Sequence, residues 1–319
     1  MKKIKRILAT ALVVVMGVLA VGCGKKEEKD ETAIRVASLK GATSIGLVKL
    51  MEDSEAGLTE SNYQFNMYTA ADEVVPLIAK GEIDVAAIPA NLASTLYKKT
   101  EGQIAVININ TLGVLYILEN GAQINSIADL KGKTVYMTGK GTVPEFAFKY
   151  ILAQNGLSES DVTIEFKSEP TEVASILAQD AYAVGLLPQP FVTVALTQNE
   201  KARIAINLVD EWSDMLTGVT IVRKEFLEEH EGLVKKLLED YAASTTYVNE
   251  NPEEAAAWVE KYGIVKAAVA KKAIPGCNVT SITGTEMKEK LSKYLEALYS
   301  QNPSAVGGQL PDEEFYYTK

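Results

Sequence analysis

From Ala33 onward, short β-branched runs alternate with longer segments whose apolar residues recur at helical spacing. This alternation constrains the fold more than any other feature, because a strand that pairs with a parallel neighbour needs a helical crossover packed on the sheet face. The chain therefore reads as α/β, with two mixed sheets flanked by helices. Its first half opens with a strand over 34–38, a turn through Leu39-Lys40-Gly41-Ala42, a helix from Thr43 or Ser44 to Glu52, and a strand over 63–68. A helix over 71–81 follows, capped by Asp72, with Pro76 near its start and Gly81 as its stop. Strands over 84–88, 104–109 and 114–118 complete this half, a further helix following Pro89-Ala90-Asn91.

At 126–133 a capped turn leads into a strand over 134–137, and the scheme restarts. Gly139-Lys140-Gly141-Thr142 precedes a helix over 143–155; a strand over 162–166, a helix over 171–179 and a strand over 183–187 follow. A strand over 216–222 is placed to re-enter the first sheet, so the chain crosses twice between two lobes and a hinge is expected. The spacing predicts a long amphipathic helix over 225–249, helices over 253–262, 265–272 and 286–299, and an extended surface tail over 302–319. The lobes are expected at 33–120 with 213–319, and at 121–212.

The residues before this body read differently. Lys2, Lys3, Lys5 and Arg6 precede an apolar run over 7–21 that is shorter than the roughly 20 residues a membrane span needs. This is a signal-peptide profile over 1–22. Leu19-Ala20-Val21-Gly22-Cys23 resembles a bacterial lipobox, except that Ala20 stands where a larger aliphatic is usual. That resemblance implies cleavage before Cys23, lipidation of its thiol and a body held on the extracytoplasmic face of the cell membrane. The charged stretch after it has no apolar periodicity, so 23–32 reads as a flexible tether.

Composition removes whole classes of function. Thirty-two Lys and Arg against 42 Asp and Glu give a net charge of −10, which disfavours nucleic acid as a partner. One His and two Cys leave too little for a zinc site, a Cys/His pair or a Ser-His-Asp triad, so no metal, cofactor or catalytic group is expected. With Cys23 lipidated, Cys277 has no disulfide partner and reads as inert. The lone His230, in Glu228-Glu229-His230-Glu231, reads as a surface residue.

Three phrases carry a family resemblance. Ile127-Ala128-Asp129-Leu130-Lys131-Gly132-Lys133-Thr134-Val135 is similar to the text that opens the second lobe of periplasmic-binding-protein folds of type II. Ile78-Ala79-Lys80-Gly81-Glu82-Ile83-Asp84-Val85-Ala86 resembles the nitrate, alkanesulfonate, taurine and thiamine-precursor branch, as does the phrase from Val222 to His230. With the lipobox and tether, the mature chain resembles a solute-binding lipoprotein of an ABC importer. The resemblance implies a monomer that works with a permease and an ATPase and closes its lobes around a small solute.

Where the solute sits follows from topology: ligands bind beyond the carboxyl ends of strands at a switch point. In the first lobe the candidates are Lys40, Gly41, Thr43 and Ser44, then Tyr68 and Thr69, then Asn91. Across the cleft they are Gly139, Gly141, Thr142, Glu169 and Pro188. Gly41 and Gly141 precede helices, so backbone N–H groups there can meet a sulfonate, carboxylate or phosphate, with Lys40 and Lys140 as counter-charges. Glu169 can take an amine, and Tyr68, Tyr116, Phe146 or Trp212 can stack on a ring such as a pyrimidine. Two other functions fit the fold: an enzyme of the chorismate dehydratase type, against which the lipobox argues, and a lipoprotein that senses a ligand and signals to a membrane kinase.

Overall fold

Residues 32–319 are described by a computed structural model; the expected signal peptide, Cys23 and the expected tether up to residue 31 lie outside the described residues. The first sheet takes β1 (Ala33–Leu39), β2 (Asn62–Tyr68), β3 (Val85–Pro89), β4 (Ile104–Leu112), β10 (Leu216–Arg223) and β11 (Val279–Ile282), in the order β11-β4-β10-β3-β1-β2. The second takes β5 (Leu115–Glu119), β6 (Thr134–Met137), β7 (Thr163–Phe166), β8 (Val184–Pro188) and β9 (Arg203–Asn207), in the order β7-β6-β8-β5-β9. Each sheet has a parallel trio centred on β1 or β6, with an antiparallel strand beside it that has just crossed from the other sheet.

Helices cover both sheets. They are α1 (Ala42–Ile45), α2 (Val48–Glu55), α3 (Ala71–Ala79), α4 (Ala90–Lys99), α5 (Val143–Gln154), α6 (Pro170–Gln179), α7 (Phe191–Gln198) and α8 (Leu208–Glu211). After β10 come α9 (Lys224–Glu229), α10 (Glu231–Glu250), α11 (Pro252–Lys261), α12 (Ala267–Ala273) and α13 (Gly284–Gln301). One buried cluster runs from Ala37 and Ile88 of the first sheet to Val135 and Phe148 of the second lobe. The Tyr150 ring of α5 lies 4.3 Å from Trp212, which stacks 5.0 Å from Tyr294 of α13. The two lobes thus meet through packed aromatic surface as well as through the crossings.

Several expectations need correction. The strand expected at 114–118 in the first half is β5 of the second sheet, so the chain crosses at Gly113 and not near 120. A Cβ at Gly113 would lie 2.6 Å from the Val209 side chain and 2.7 Å from that of Met215, so the two crossings run in contact and a glycine is needed between them. The helix expected from 43 to 52 is split at Gly46, whose carbonyl accepts a bond from Ser244 Oγ of α10 at 2.7 Å. The single helix over 225–249 is two, broken at His230, where φ is −133° and the half-buried imidazole packs 4.9 Å from the Phe226 ring.

The tail is not an extended surface segment. Ala305, Val306 and Phe315 are buried, Tyr317 N–H donates to Val106 O at 2.9 Å, and Tyr97 hydroxyl donates to Asp312 at 2.6 Å. Apolar residues in the tail find room beside β4 and α4, which outweighs its turn-rich composition. Four elements were also missing from the sequence reading: α7, β9, α8 and the edge strand β11.

Two phrases of the sequence have clear structural work. Asp129 accepts the N–H groups of Asn125 and Ser126, each at 2.9 Å, and Gly132 turns the chain at φ 74°. Asp84, 1% exposed, is held by Arg35 Nε at 2.7 Å and Arg223 Nη2 at 3.0 Å, and also accepts Arg35 N–H. This tie joins β1, β3 and β10 at the end of the sheet away from their switch point.

Candidate functional site

The carboxyl ends of β1, β3 and β4 meet the start of β10, where Gly218 pairs with Pro89 on one side and Thr111 on the other. Gly218 is the reason side chains can converge there. A Cβ on it would lie 2.6 Å from Thr43 Cγ2 and closer still to Asn110 Oδ1. Asn110 Nδ2 donates to Thr220 Oγ1 at 3.1 Å, and Thr111 Oγ1 donates to Asn110 Oδ1 at 2.9 Å. The Thr43 hydroxyl donates to Leu39 O at 3.2 Å, and Ser44 Oγ lies 2.8 Å from Ser38 Oγ.

Thr43, Ser44, Ser38, Asn110, Thr111 and Thr220 are buried, and none carries a charge. Buried polar groups are costly unless paired, so a group left unpaired at a cleft marks a place for a partner. Thr217 Oγ1, beside Gly218, is buried without a protein partner, and so is Asn108 Oδ1 two residues before Asn110. With no charged side chain among them, what these groups offer is hydrogen bonding alone. Asn108, Asn110, Thr111, Thr217 and Gly218 were not among the sequence candidates. Their signal was present in Ile107-Asn108-Ile109-Asn110-Thr111, where amides alternate with isoleucine in an otherwise apolar strand.

The second lobe presents the loop from Gly139 to Thr142, with φ of 80° at Gly139 and 75° at Gly141. Across from it stands Asn91 of α4, whose Nδ2 donates to Gly141 O at 3.4 Å and to Ala305 O at 3.0 Å. Two candidates chosen from opposite lobes therefore meet. The anion reading of this loop meets an obstacle, because Gly141 N–H already donates to Glu145 Oε2 at 2.7 Å. Thr142 Oγ1 is likewise turned inward, donating to Gly139 O at 2.8 Å. Glu145 in turn pairs with Lys149 at 2.7 Å, and Lys149 with Glu159 at 2.9 Å.

The other candidates are scattered around these two centres. Gly41 precedes only the four-residue α1, and Lys40 is exposed with its N–H on Tyr68 O at 2.9 Å. Tyr68 is half-buried against the core, while Thr69 is exposed and donates its N–H to Glu73 at 3.1 Å. Lys140 Nζ lies 5.8 Å from the Phe166 ring centre. Glu169 is exposed at the start of α6 and accepts from Thr171, and Pro188 ends β8 opposite Leu115. Trp212 is packed between two tyrosines, stacked on Tyr294 and tilted against Tyr150, so its ring is engaged in packing. Tyr116 is half-buried, and burial, with Cys277 and Asp210 nearby, raises its hydroxyl above the usual phenol range. Cys277 is itself buried, its thiol pushed up to about 12 by desolvation. Among the described residues, no group of three metal-ligating side chains occurs and no helix is long and apolar enough to cross a membrane.

Two mixed sheets crossed twice, with helices on their faces, make up the fold shared with periplasmic binding proteins. Residues 64–255 match the NMT1/THI5-like family model, more than half of the chain, and the protein belongs to that family. Its fold is shared with a solved ABC transporter protein of Parabacteroides distasonis, 23% identical over 91% of this chain and 100% of that one, with a TM-score of 0.75. It is also similar to the periplasmic aliphatic sulphonate binding protein of Escherichia coli, 16% identical over 88% and 92% of the two chains, TM-score 0.72. The periplasmic nitrate-binding protein of Synechocystis is 12% identical over 86% and 82%, TM-score 0.66. A search of the curated proteins finds no match.

Proposed function

We propose that the protein is the solute-binding component of an ABC importer, anchored by lipid on Cys23 to the extracytoplasmic face of the membrane. The carrying observation is the uncharged buried patch around Gly218, with Thr217 and Asn108 atoms unpaired, at the switch point of the first sheet. The proposed ligand contacts are Thr43, Ser44, Asn91, Asn110, Thr111 and Thr217 from the first lobe, with the loop from Gly139 to Thr142 closing on them. A solute that touches both lobes only when they are closed favours closure by its differential affinity. The closed monomer then presents its solute to the permease, which the ATPase drives. No bond is made or broken in the solute, since the patch has no nucleophile with an adjacent base.

A thermal-shift screen of the full-length chain against alkanesulfonates, taurine, nitrate, small carboxylates, amines and pyrimidines tests this. A solute at about 100 times its dissociation constant stabilises the native state by roughly 2.7 kcal/mol. At least one member of the panel is expected to raise the melting temperature, and Asn110→Ala to reduce that rise. A chain that no solute stabilises would contradict the reading.

A further inference from the structure

We infer that Glu145 sets the specificity of the second lobe: it keeps an anionic group away from the amino end of α5 and, with Asn91, leaves that corner to a solute group that donates hydrogen bonds, an ammonium or amino group. The inference rests on the solute-binding reading above.

α5 has 12 residues, and Glu145 is the third of them, placed so that its carboxylate reaches back to Gly141 N–H at 2.7 Å. An anion approaching this helix end would be drawn to that same N–H by the unpaired amides and the dipole. It meets instead a carboxylate that is 9% exposed and already seated. Lys149 does not reverse this charge, because it is shared between Glu145 and Glu159. The hydroxyl and the N–H of Thr142 are both committed to Gly139 O, and Lys140 of the same loop carries its Nζ to 5.8 Å from the Phe166 ring centre.

Beside this corner one acceptor is unmatched. Asn91, 1% exposed, turns its amide toward the loop and gives its Nδ2 hydrogens to Gly141 O and Ala305 O. Those two carbonyls fix which end of the amide is which. The remaining oxygen, Asn91 Oδ1, is buried with no protein partner. A sulfonate or carboxylate oxygen has no hydrogen to offer it, whereas an N–H of the solute does. Glu145, close by through Gly141, supplies the negative charge that favours such a group when it is protonated.

The test compares two probes of equal carbon skeleton, propylammonium and propane-1-sulfonate, in calorimetric titrations of the full-length chain. The native chain is expected to bind propylammonium the more tightly. Glu145→Gln, which keeps an oxygen for Gly141 N–H, is expected to weaken propylammonium about tenfold and to tighten propane-1-sulfonate about tenfold. A native preference for the sulfonate, or an unchanged ranking in Glu145→Gln, overturns the inference; should that variant fail to fold, the native ranking alone decides. The broader solute panel run alongside separates the two levels. If another solute stabilises the chain while the two-probe ranking fails, the role of Glu145 is wrong and solute binding stands. If no solute acts, both fall.

Discussion

Gly218→Ala probes the site with the smallest possible perturbation. The backbone at Gly218 is outside the left-handed region, so alanine brings no conformational penalty and the effect reports the side chain alone. The added methyl would stand 2.6 Å from Thr43 Cγ2 and nearer still to Asn110 Oδ1, where ordinary carbon contacts begin near 3.4 Å. Both neighbours are buried, Thr43 at 8% and Asn110 at 1% exposure, and both are tied by hydrogen bonds. An overlap of this kind costs about 1–3 kcal/mol, which for a chain of this size lowers the melting temperature by about 2–6 °C. Urea and thermal unfolding measure the loss, and titration of a solute that stabilises the native chain measures the damage to the site. Asn110→Ser shortens the clashing side chain, so the double variant is expected to lose less than the sum of the two single losses. Full native stability together with full solute affinity in Gly218→Ala would refute the convergence of Thr43 and Asn110 at this strand.

Three further outcomes follow from the buried polar groups. Asp84→Asn is expected to cost about 3 kcal/mol, toward the lower end for a broken buried pair because Arg35 keeps 36% exposure. Burial alone would raise the Asp84 carboxyl, but bonds from Arg35 and Arg223 hold it below the usual range. Its contribution is therefore fully present above the unfolded value of about 3.9 and is lost as pH falls through the lower folded value; Asp84→Asn should flatten that acid limb of the stability profile. Tyr294→Phe, which removes a buried hydroxyl that has no protein partner, is expected to keep or raise stability by about 1 kcal/mol in urea unfolding, and a clear loss would show that the hydroxyl is satisfied. In the native chain Cys277 is expected to resist a thiol reagent at pH 8, since burial pushes it up to about 12; in denaturant one thiol should react if Cys23 is acylated and two if it is not.

Much of this architecture was legible because period and punctuation survive in the text. The alternation of short and long apolar periods gave the α/β class, and Gly81 and Gly132, at φ 72° and 74°, marked real turns. What escaped depends on residues far apart in the chain. The crossing at Gly113 is set by Val209 and Met215, about a hundred positions later, so the transfer of β5 to the second sheet had no local sign. The break at His230 falls inside a pattern that stays helical on either side, so apolar spacing alone did not mark it.

The switch-point rule named Asn91 and Gly141 because strand ends are readable, and the structure brings these two candidates within 3.4 Å of each other. The same rule had no means of seeing that Glu145 would turn back onto Gly141 and occupy the donor. Asn108, Asn110 and Thr217 sit within strands, where an apolar context made them look like ordinary ladder positions. Only pairing of β4 with β10 and β11 shows which of their atoms are left without partners.

The most direct measurement is a calorimetric titration of the full-length chain with a solute from the panel, followed by dialysis and recovery of the solute. The account predicts saturable binding of one solute per chain, release of that solute chemically unchanged, and affinity about tenfold weaker in Asn110→Ala. A solute converted to product, or one bound with full affinity when Asn110 is removed, would contradict a non-covalent receptor built on the first sheet's switch point.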